Sequence, residues 1–535
     1  MVRLPQAVSA RLRGGRAFAA VLVAAALAHL PALFNGFVWD DLVFILANPV
    51  LRDPGNAAAL FISPETWGTG AANPYYRPLT MLAFMGDTLL WGERAIGYHA
   101  TNLLLHLGAC ALLLAVLRRL LSPGPALAAA LLFAVHPAHA EPVAYVSARG
   151  DLLCAVFLLA SFLAWIRHVE DGARGALALS ALAYGAALFA KISAGLFPAV
   201  FLLHAFLFAR RRPRARDLLP FAAVALGYLA LRGAVLDQGT WGAEPLSVRV
   251  ATAGPVIARY LLMALSPAHL SVFHDVAPRV AIDALAVVAW AAVAATVALA
   301  AASFRRAPRA VLALAWFLAG IIPVSGLVTF VYPALVADRY LYLPLLGGSL
   351  AAGAILQRLA AARLALPARR AAAGAFAVAL LALASFTAAR DRHWRDSITL
   401  WERAGLEAPR NQYVLNALGW VYRSTDRLGD AERALRLSLA LNEANSDTHL
   451  NLAILALVRD DLDLAERHIV RALELSRGSA VAYRYLSVIL LAKGNDAVAL
   501  RAAERAFELN PFDAKAGRLV AGLRRGDGAA LLRAD

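Results

Sequence analysis

The chain has 535 residues, of which 61% are hydrophobic and 16% charged, with a formal net charge of +16. Soluble domains carry roughly 45–50% apolar residues, so this composition argues against a soluble globule and for a polytopic membrane protein. The basic excess is nearly all arginine, in short clusters between apolar runs, which is a membrane pattern rather than a nucleic-acid-binding one.

At the N-terminus, Arg11, Arg13 and Arg16 precede an apolar run over 17–34. Ala26-Leu27-Ala28 mimics a cleavage site, but the run continues to Phe34, so an uncleaved first span is expected. Taking about 20 apolar residues per span, further spans fall near 99–117, 125–137, 151–166, 175–190, 194–209, 217–235, 281–303, 310–329, 340–357 and 371–389. The stretch 255–268 reads as an interfacial or re-entrant helix. Arginine clusters at 118–119, 210–216, 305–309 and 369–370 place their loops and the N-terminus in the cytoplasm. The loops 35–98, 138–150, 191–193, 236–280 and 330–339 then face outward, as does everything beyond the eleventh span. Abundant Ala, Arg and Leu with little Lys suggests a bacterial gene, hence a bacterial inner (cytoplasmic) membrane. Cys110 and Cys154 lie inside apolar spans and read as packing residues rather than a disulfide.

The outer segments hold the groups able to do chemistry. In FVWDDLVFILANP (37–49), Asp40 and Asp41 follow the first span. Two adjacent acids can cap a helix, or supply a general base and a partner that positions it or a metal. In HPAHAEPVAYVSARGD (136–151), His136, His139, Glu141, Arg149 and Asp151 share a stretch in which Pro137 and Pro142 break regular helix. Ionisable groups beside the bilayer are a functional hypothesis by default, although His-x-x-His-x-Glu alone is a weak zinc signal. Arg77 in NPYYRPLT, Lys191 between two spans and Arg339 in ADRYLYLP are outward cations, against the usual bias. Each could sit in an internal pair, Arg339 with Asp338 for example, or snorkel to headgroups. Together they suggest a lipid phosphate or pyrophosphate site.

From 412 to 513 the chain repeats every 34 residues: Leu418, Leu452 and Leu486 align, as do Ala431, Ala465 and Ala499, and Leu441, Leu475 and Leu509. With Gly419, Tyr422 and Pro511 this is a tetratricopeptide pattern. Residues 396–408 read as a partial unit and 514–524 as a capping helix. The fold class expected is all-α, a polytopic membrane bundle followed by a soluble repeat solenoid. Its divisions are 1–389, a linker over 390–411, three repeats over 412–513, and 514–535.

In family order, FVWDDLVFILANP, YYRPLTMLAF, LLFAVHPAHAEPVAYVSARGDLLCAVF, LFAKISAGLFP, IIPVSGLV with ADRYLYLP, and RDRHWRDSITLWERAGLEAPRN resemble the transmembrane-and-tetratricopeptide-repeat family of protein O-mannosyltransferases, in the GT-C glycosyltransferase superfamily. That resemblance implies inverting transfer of a sugar, typically mannose, from a polyprenyl phosphate to a Ser or Thr hydroxyl outside the cytoplasm. It makes Asp40 or Asp41 the base, sets Glu141 and Arg149 around the donor and acceptor cleft, and puts Arg77, Lys191 and Arg339 on the lipid phosphate. A divalent cation stays open, as relatives in the superfamily differ on it. Two departures stand out. Ile192 and Ser193 follow Lys191 where the family usually has an acid, and His274 in LSVFHDV stands where an aromatic hydroxyl is expected. A membrane scaffold presenting repeats, or a transporter for lipid-linked sugars, are the alternative readings.

Overall fold

The computed structural model describes residues 6–67, 75–209, 213–236, 244–328, 334–362 and 365–527, with side chains from residue 15 onward apart from 64–65. The arginines at 210–212 and the side chains of Arg11 and Arg13 lie outside this description. The described residues form helices and no strands. They divide into two compact units, 1–41 with 74–395 and 42–73 with 396–535, so part of the expected first outer loop groups with the repeats.

The first unit contains α1 (Gln6–Ala28), α2 (Pro78–Trp91), α3 (Ala95–Leu120), α4 (Pro123–Ala134), α5 (Ala140–Ala144), α6 (Arg149–Asp171) and α7 (Arg174–Ala190). It continues through α8 (Phe197–Phe208), α9 (Leu219–Val235), α10 (Leu246–Leu265), α11 (Ala284–Ala302), α12 (Pro308–Ile321), α13 (Tyr342–Ala361) and α14 (Leu366–Asp391). A helix coincides with every expected span. By length and composition, seven described helices can cross a bilayer, or eight if the bent pair Pro123–Ala134 and Pro137–Ala144 counts as one. The expected spans near 17–34, 175–190, 194–209 and 310–329 fall on shorter apolar helices.

Length alone would count α10 as a span. Hydrogen bonds run from it to the connection between α12 and α13, and Leu261 and Leu265 line a groove along α13. Arg249 donates to the carbonyls of Leu327 and Val328 (3.4 and 3.1 Å), and the Tyr260 hydroxyl donates to Ala337 O (3.3 Å). Both halves thus touch the connection between α12 and α13.

Small residues let the helices close. A Cβ on Gly347 of α13 would meet Ala313 O of α12 at 2.5 Å, the close backbone approach typical of membrane helix pairs. The last helix is tied to the first: Asn35 Nδ2 donates to Asp391 O (2.9 Å) and His29 Nδ1 meets the Asp391 carboxylate at 3.2 Å. One end of the bundle gathers Asp40, Arg149, Lys191 and Tyr342. At the other, Arg309 Nε donates to Leu120 O (2.5 Å) and Ser122 N to Gln357 Oε1 (2.8 Å).

The second unit carries α15 (Ser397–Glu407), three hairpins, α16 (Gln412–Ser424) with α17 (Leu428–Leu441), α18 (Ser446–Val458) with α19 (Leu462–Leu475), α20 (Ala480–Ala492) with α21 (Asp496–Leu509), and then α22 (Ala514–Arg525). Ala431, Ala465 and Ala499 are fully buried at the repeat spacing. The hairpin turns recur too: Asp426 (φ 60°), Asp460 (φ 62°) and Gly494 (φ 76°) are 34 residues apart and all left-handed. Glycine adopts this region at the least cost, and aspartate tolerates it better than most residues. Asp426→Gly with Asp460→Gly is therefore expected to raise the melting temperature of the repeats, by about 0.5–1 kcal/mol per turn; a fall on calorimetry would show that the aspartates hold their turns by other means.

Candidate active site

The segment after α4 is built by its prolines. His136 precedes Pro137 and is extended (φ −73°, ψ 128°), as the residue before proline prefers. The chain then turns through a short 3-10 helix, α5 and a second 3-10 turn at 146–148 before α6 begins at Arg149. This folded segment brings Glu141, Tyr145 and Ser147 to the Asp40–Asp41 loop.

The two aspartates have different surroundings. Asp41 is fully buried. Its Oδ1 accepts from Ser147 N (2.7 Å) and Ser147 Oγ (2.5 Å), and its Oδ2 accepts from Val38 N (3.1 Å). Both oxygens therefore hold loops together. Asp40 is half-buried, with the Tyr145 hydroxyl beside it and Arg339 and Arg77 within electrostatic reach. Burial pushes its carboxyl above the ordinary range, while Tyr145 and the two arginines pull it back. Trp39 turns the chain immediately before the two aspartates at φ 53°, a strained value for a bulky residue. Its ring stacks on Tyr145 (5.6 Å), which stacks on Trp394 (5.0 Å).

Burial also pushes the Asp41 carboxyl up, to about 7. A carboxyl raised in the folded state contributes stability that is present below about pH 4, its unfolded value, and is lost as pH rises through 7. Hydrogen exchange at Val38 and Ser147, corrected for intrinsic rates, is thus expected to be slower at pH 5 than at pH 8; protection independent of pH would contradict the shift.

The cations differ in what already holds them. Lys191 Nζ meets Asp151 Oδ1 at 2.5 Å and lies 4.9 Å from the Tyr340 ring centre. Asp151 is thus the acid that the sequence lacks immediately after the lysine. Arg339 pairs with Glu141 through its side chain and its backbone N–H (2.8 Å). It does not pair with Asp338, the internal partner considered from the sequence: Asp338 instead binds His274 Nε2 (2.8 Å) and Arg390 (2.6 Å). Arg77 stacks on Tyr75 at 4.4 Å and, among the described residues, has no carboxylate within ion-pair distance.

Arg149 sits apart from this group. It is fully buried, bonded to Asp87 (2.5 Å), Asn102 Oδ1 (2.8 Å), Ala83 O (3.1 Å) and Tyr98 O (3.1 Å). These bonds brace the start of α6 against α2 and α3. His139 is also fully buried, packed on Phe133 (4.3 Å) and Tyr342 (4.7 Å) with neither ring nitrogen hydrogen-bonded. His136 accepts from Ala138 N (3.2 Å) and stays partly exposed. Of the ten residues expected from the sequence, Asp40, Arg77, His136 and Arg339 keep some exposure, while Asp41, His139, Glu141, Arg149, Asp151 and Lys191 are buried.

The residues do not fit a protein-held divalent cation. Asp41 has both oxygens engaged, Glu141 and Asp151 face cations, and no three His, Cys, Asp or Glu among the described residues are placed to share an ion. Tyr145, Ser147, Tyr340 and Asp338 adjoin these residues without having been singled out as functional; all four lie in the quoted motifs, Asp338 named there only as a pairing partner.

Comparison with known proteins covers part of this region; its family match leaves out Asp40, Asp41, Arg77 and Arg339. Residues 78–235 match the family described as dolichyl-phosphate-mannose-protein mannosyltransferase. Protein O-mannosyl-transferase Tmtc1 of Drosophila melanogaster is 39% identical over 171 residues, 31% of this chain and 20% of that protein. TMTC3 of Mus musculus is 39% identical over 140 residues (25% and 15%), and TMTC4 of Homo sapiens 38% over 154 (25% and 21%). The matched segment thus spans only about a fifth of the length of these relatives, and within it the resemblance read from the motifs is borne out. A solved structure of MamA protein is similar at 21% identity over 25% of this chain and 73% of that one, with a TM-score of 0.22, too low to support an argument about fold.

Proposed function

We propose that the chain is an integral-membrane glycosyltransferase that moves a sugar, mannose in the first instance, from a polyprenyl phosphate to a Ser or Thr hydroxyl of an exported protein. The reaction takes place at the outer face of the membrane, and the repeats present the polypeptide acceptor. The observation that carries this reading is the split between the adjacent aspartates. Asp41 fastens the loop, which leaves Asp40 facing Tyr145 and two arginines.

In the reaction, Asp40 takes the acceptor's proton as its oxygen attacks the anomeric carbon. The bond from that carbon to the phosphate oxygen breaks in the same displacement, so the configuration inverts and no enzyme nucleophile is needed. The leaving phosphate gains negative charge, which fixed cations stabilise. Lys191 and Arg339 are already balanced by Asp151 and Glu141. Arg77 is the cation left for the phosphate. Arg77→Gln is expected to lower kcat/KM for the lipid donor roughly 10- to 100-fold, the range of one charge-assisted hydrogen bond, with Arg77→Lys in between; an unchanged value would remove Arg77 from the donor site.

The donor class is tested with purified protein, a Ser/Thr-rich peptide, and matched sets of polyprenyl-phosphate sugars and nucleotide sugars. Glycopeptide is expected from the lipid-linked mannose. Product only from nucleotide sugars, or none from any donor, would overturn the reading.

A further inference from the structure

The bundle has a second polar feature at the end far from Asp40. A cavity of about 220 Å³ there is rimmed by Arg306, Arg309 and Arg358. It shares the walls Ala310, Ala351 and Ile355 with an apolar groove of about 400 Å³ walled by α4, α10, α12 and α13. The groove follows α13 from Leu345 to Ile355, about 15 Å at 1.5 Å per residue, or half the thickness of a hydrocarbon core. Arg306 and Arg358 are exposed. None of the three arginines has a carboxylate within ion-pair distance among the described residues. Arg309 is held in place by its bond to Leu120 O, and α12 starts beside it at Pro308, so the positive end of that helix adds to the field.

Three uncompensated arginines thus stand over an apolar groove one leaflet deep. A basic pocket between membrane helices attracts an anionic headgroup, and the groove beneath takes a chain. We propose that this continuous site binds one anionic phospholipid, its phosphate on Arg306, Arg309 and Arg358 and one chain in the groove that α4, α10, α12 and α13 wall. The arginine cluster is separate from the proposed transfer site, because the 20 residues of α13 put its two ends about 30 Å apart, while the inner end of the groove reaches His136.

The test uses the full-length protein in detergent, with phosphatidylglycerol or phosphatidylcholine of identical chains added, and reads lipid retained per chain by native mass spectrometry together with the melting temperature. One phosphatidylglycerol is expected to be retained per chain in preference to phosphatidylcholine, with a rise in melting temperature. Arg306→Gln with Arg358→Gln is expected to weaken its retention about 30-fold, from the headgroup attraction of two arginines, while melting without lipid is unchanged. Ala352→Phe, which fills the groove, is expected to abolish retention with all three arginines present. Equal retention of the two lipids, a preference that survives the double Gln change, or full retention by Ala352→Phe would each overturn the proposal. So would displacement of the lipid by inorganic phosphate alone, which would mark a simple anion site.

Discussion

Asp40→Asn is expected to lower kcat for sugar transfer by about 10²–10⁴, the usual contribution of a positioned general base, with little change in the KM for the lipid donor. The substitution keeps the shape of the side chain and removes only the basic oxygen. The Asp41→Asn change should behave differently. Asp41 accepts from Ser147 N, Ser147 Oγ and Val38 N, and an amide in its place presents an NH₂ to at least one of these donors. The expected result is a less stable loop, a lower melting temperature and a partial loss of activity that low temperature restores. Steady-state kinetics and melting curves on both variants separate the roles. A melting defect for Asp40→Asn, or a pure kcat defect for Asp41→Asn, would exchange the assignments.

Arg149→Leu is expected to destabilise the bundle by about 3–5 kcal/mol, because it strands the Asp87 carboxylate in a buried position. The double change Arg149→Leu with Asp87→Leu should recover most of that loss, since a buried pair replaced by apolar groups is often nearly neutral. If Arg149 lined the cleft instead, the double variant would fold well and still fail to transfer sugar. Melting temperature and kcat measured on both variants decide the matter, and restored activity in the double variant is the result expected from the bonds Arg149 makes to Asp87, Asn102, Ala83 and Tyr98.

Local order was the readable part of this chain. The 34-residue spacing located α16 to α21, the apolar runs fell on helices throughout, and Pro137 and Pro142 marked the break before α6, because each of these depends on neighbours in sequence. Pairing was not readable. Lys191 finds its acid 40 residues away at Asp151, and Arg339 finds Glu141 198 residues away; only the folded bundle brings those groups together. For the same reason the enclosure of Arg149 was not readable: a sequence shows a cation near the membrane edge but not the carboxylate and carbonyls around it. The left-handed Trp39 had no sequence signal either, since that conformation is expected of Gly, Asn or Asp. In the folded chain its ring stacks on Tyr145.

The central claim is that Asp40 removes the acceptor proton in a single inverting displacement from a lipid phosphate. A single turnover tests it most directly: purified wild type and Asp40→Asn are each loaded with polyprenyl-phosphate mannose, mixed with a Ser/Thr peptide, and the anomer of the glycopeptide is read by NMR. Wild type is predicted to give the inverted anomer and Asp40→Asn almost none in the same time. A retained anomer, or equal product from the two proteins, would contradict the account.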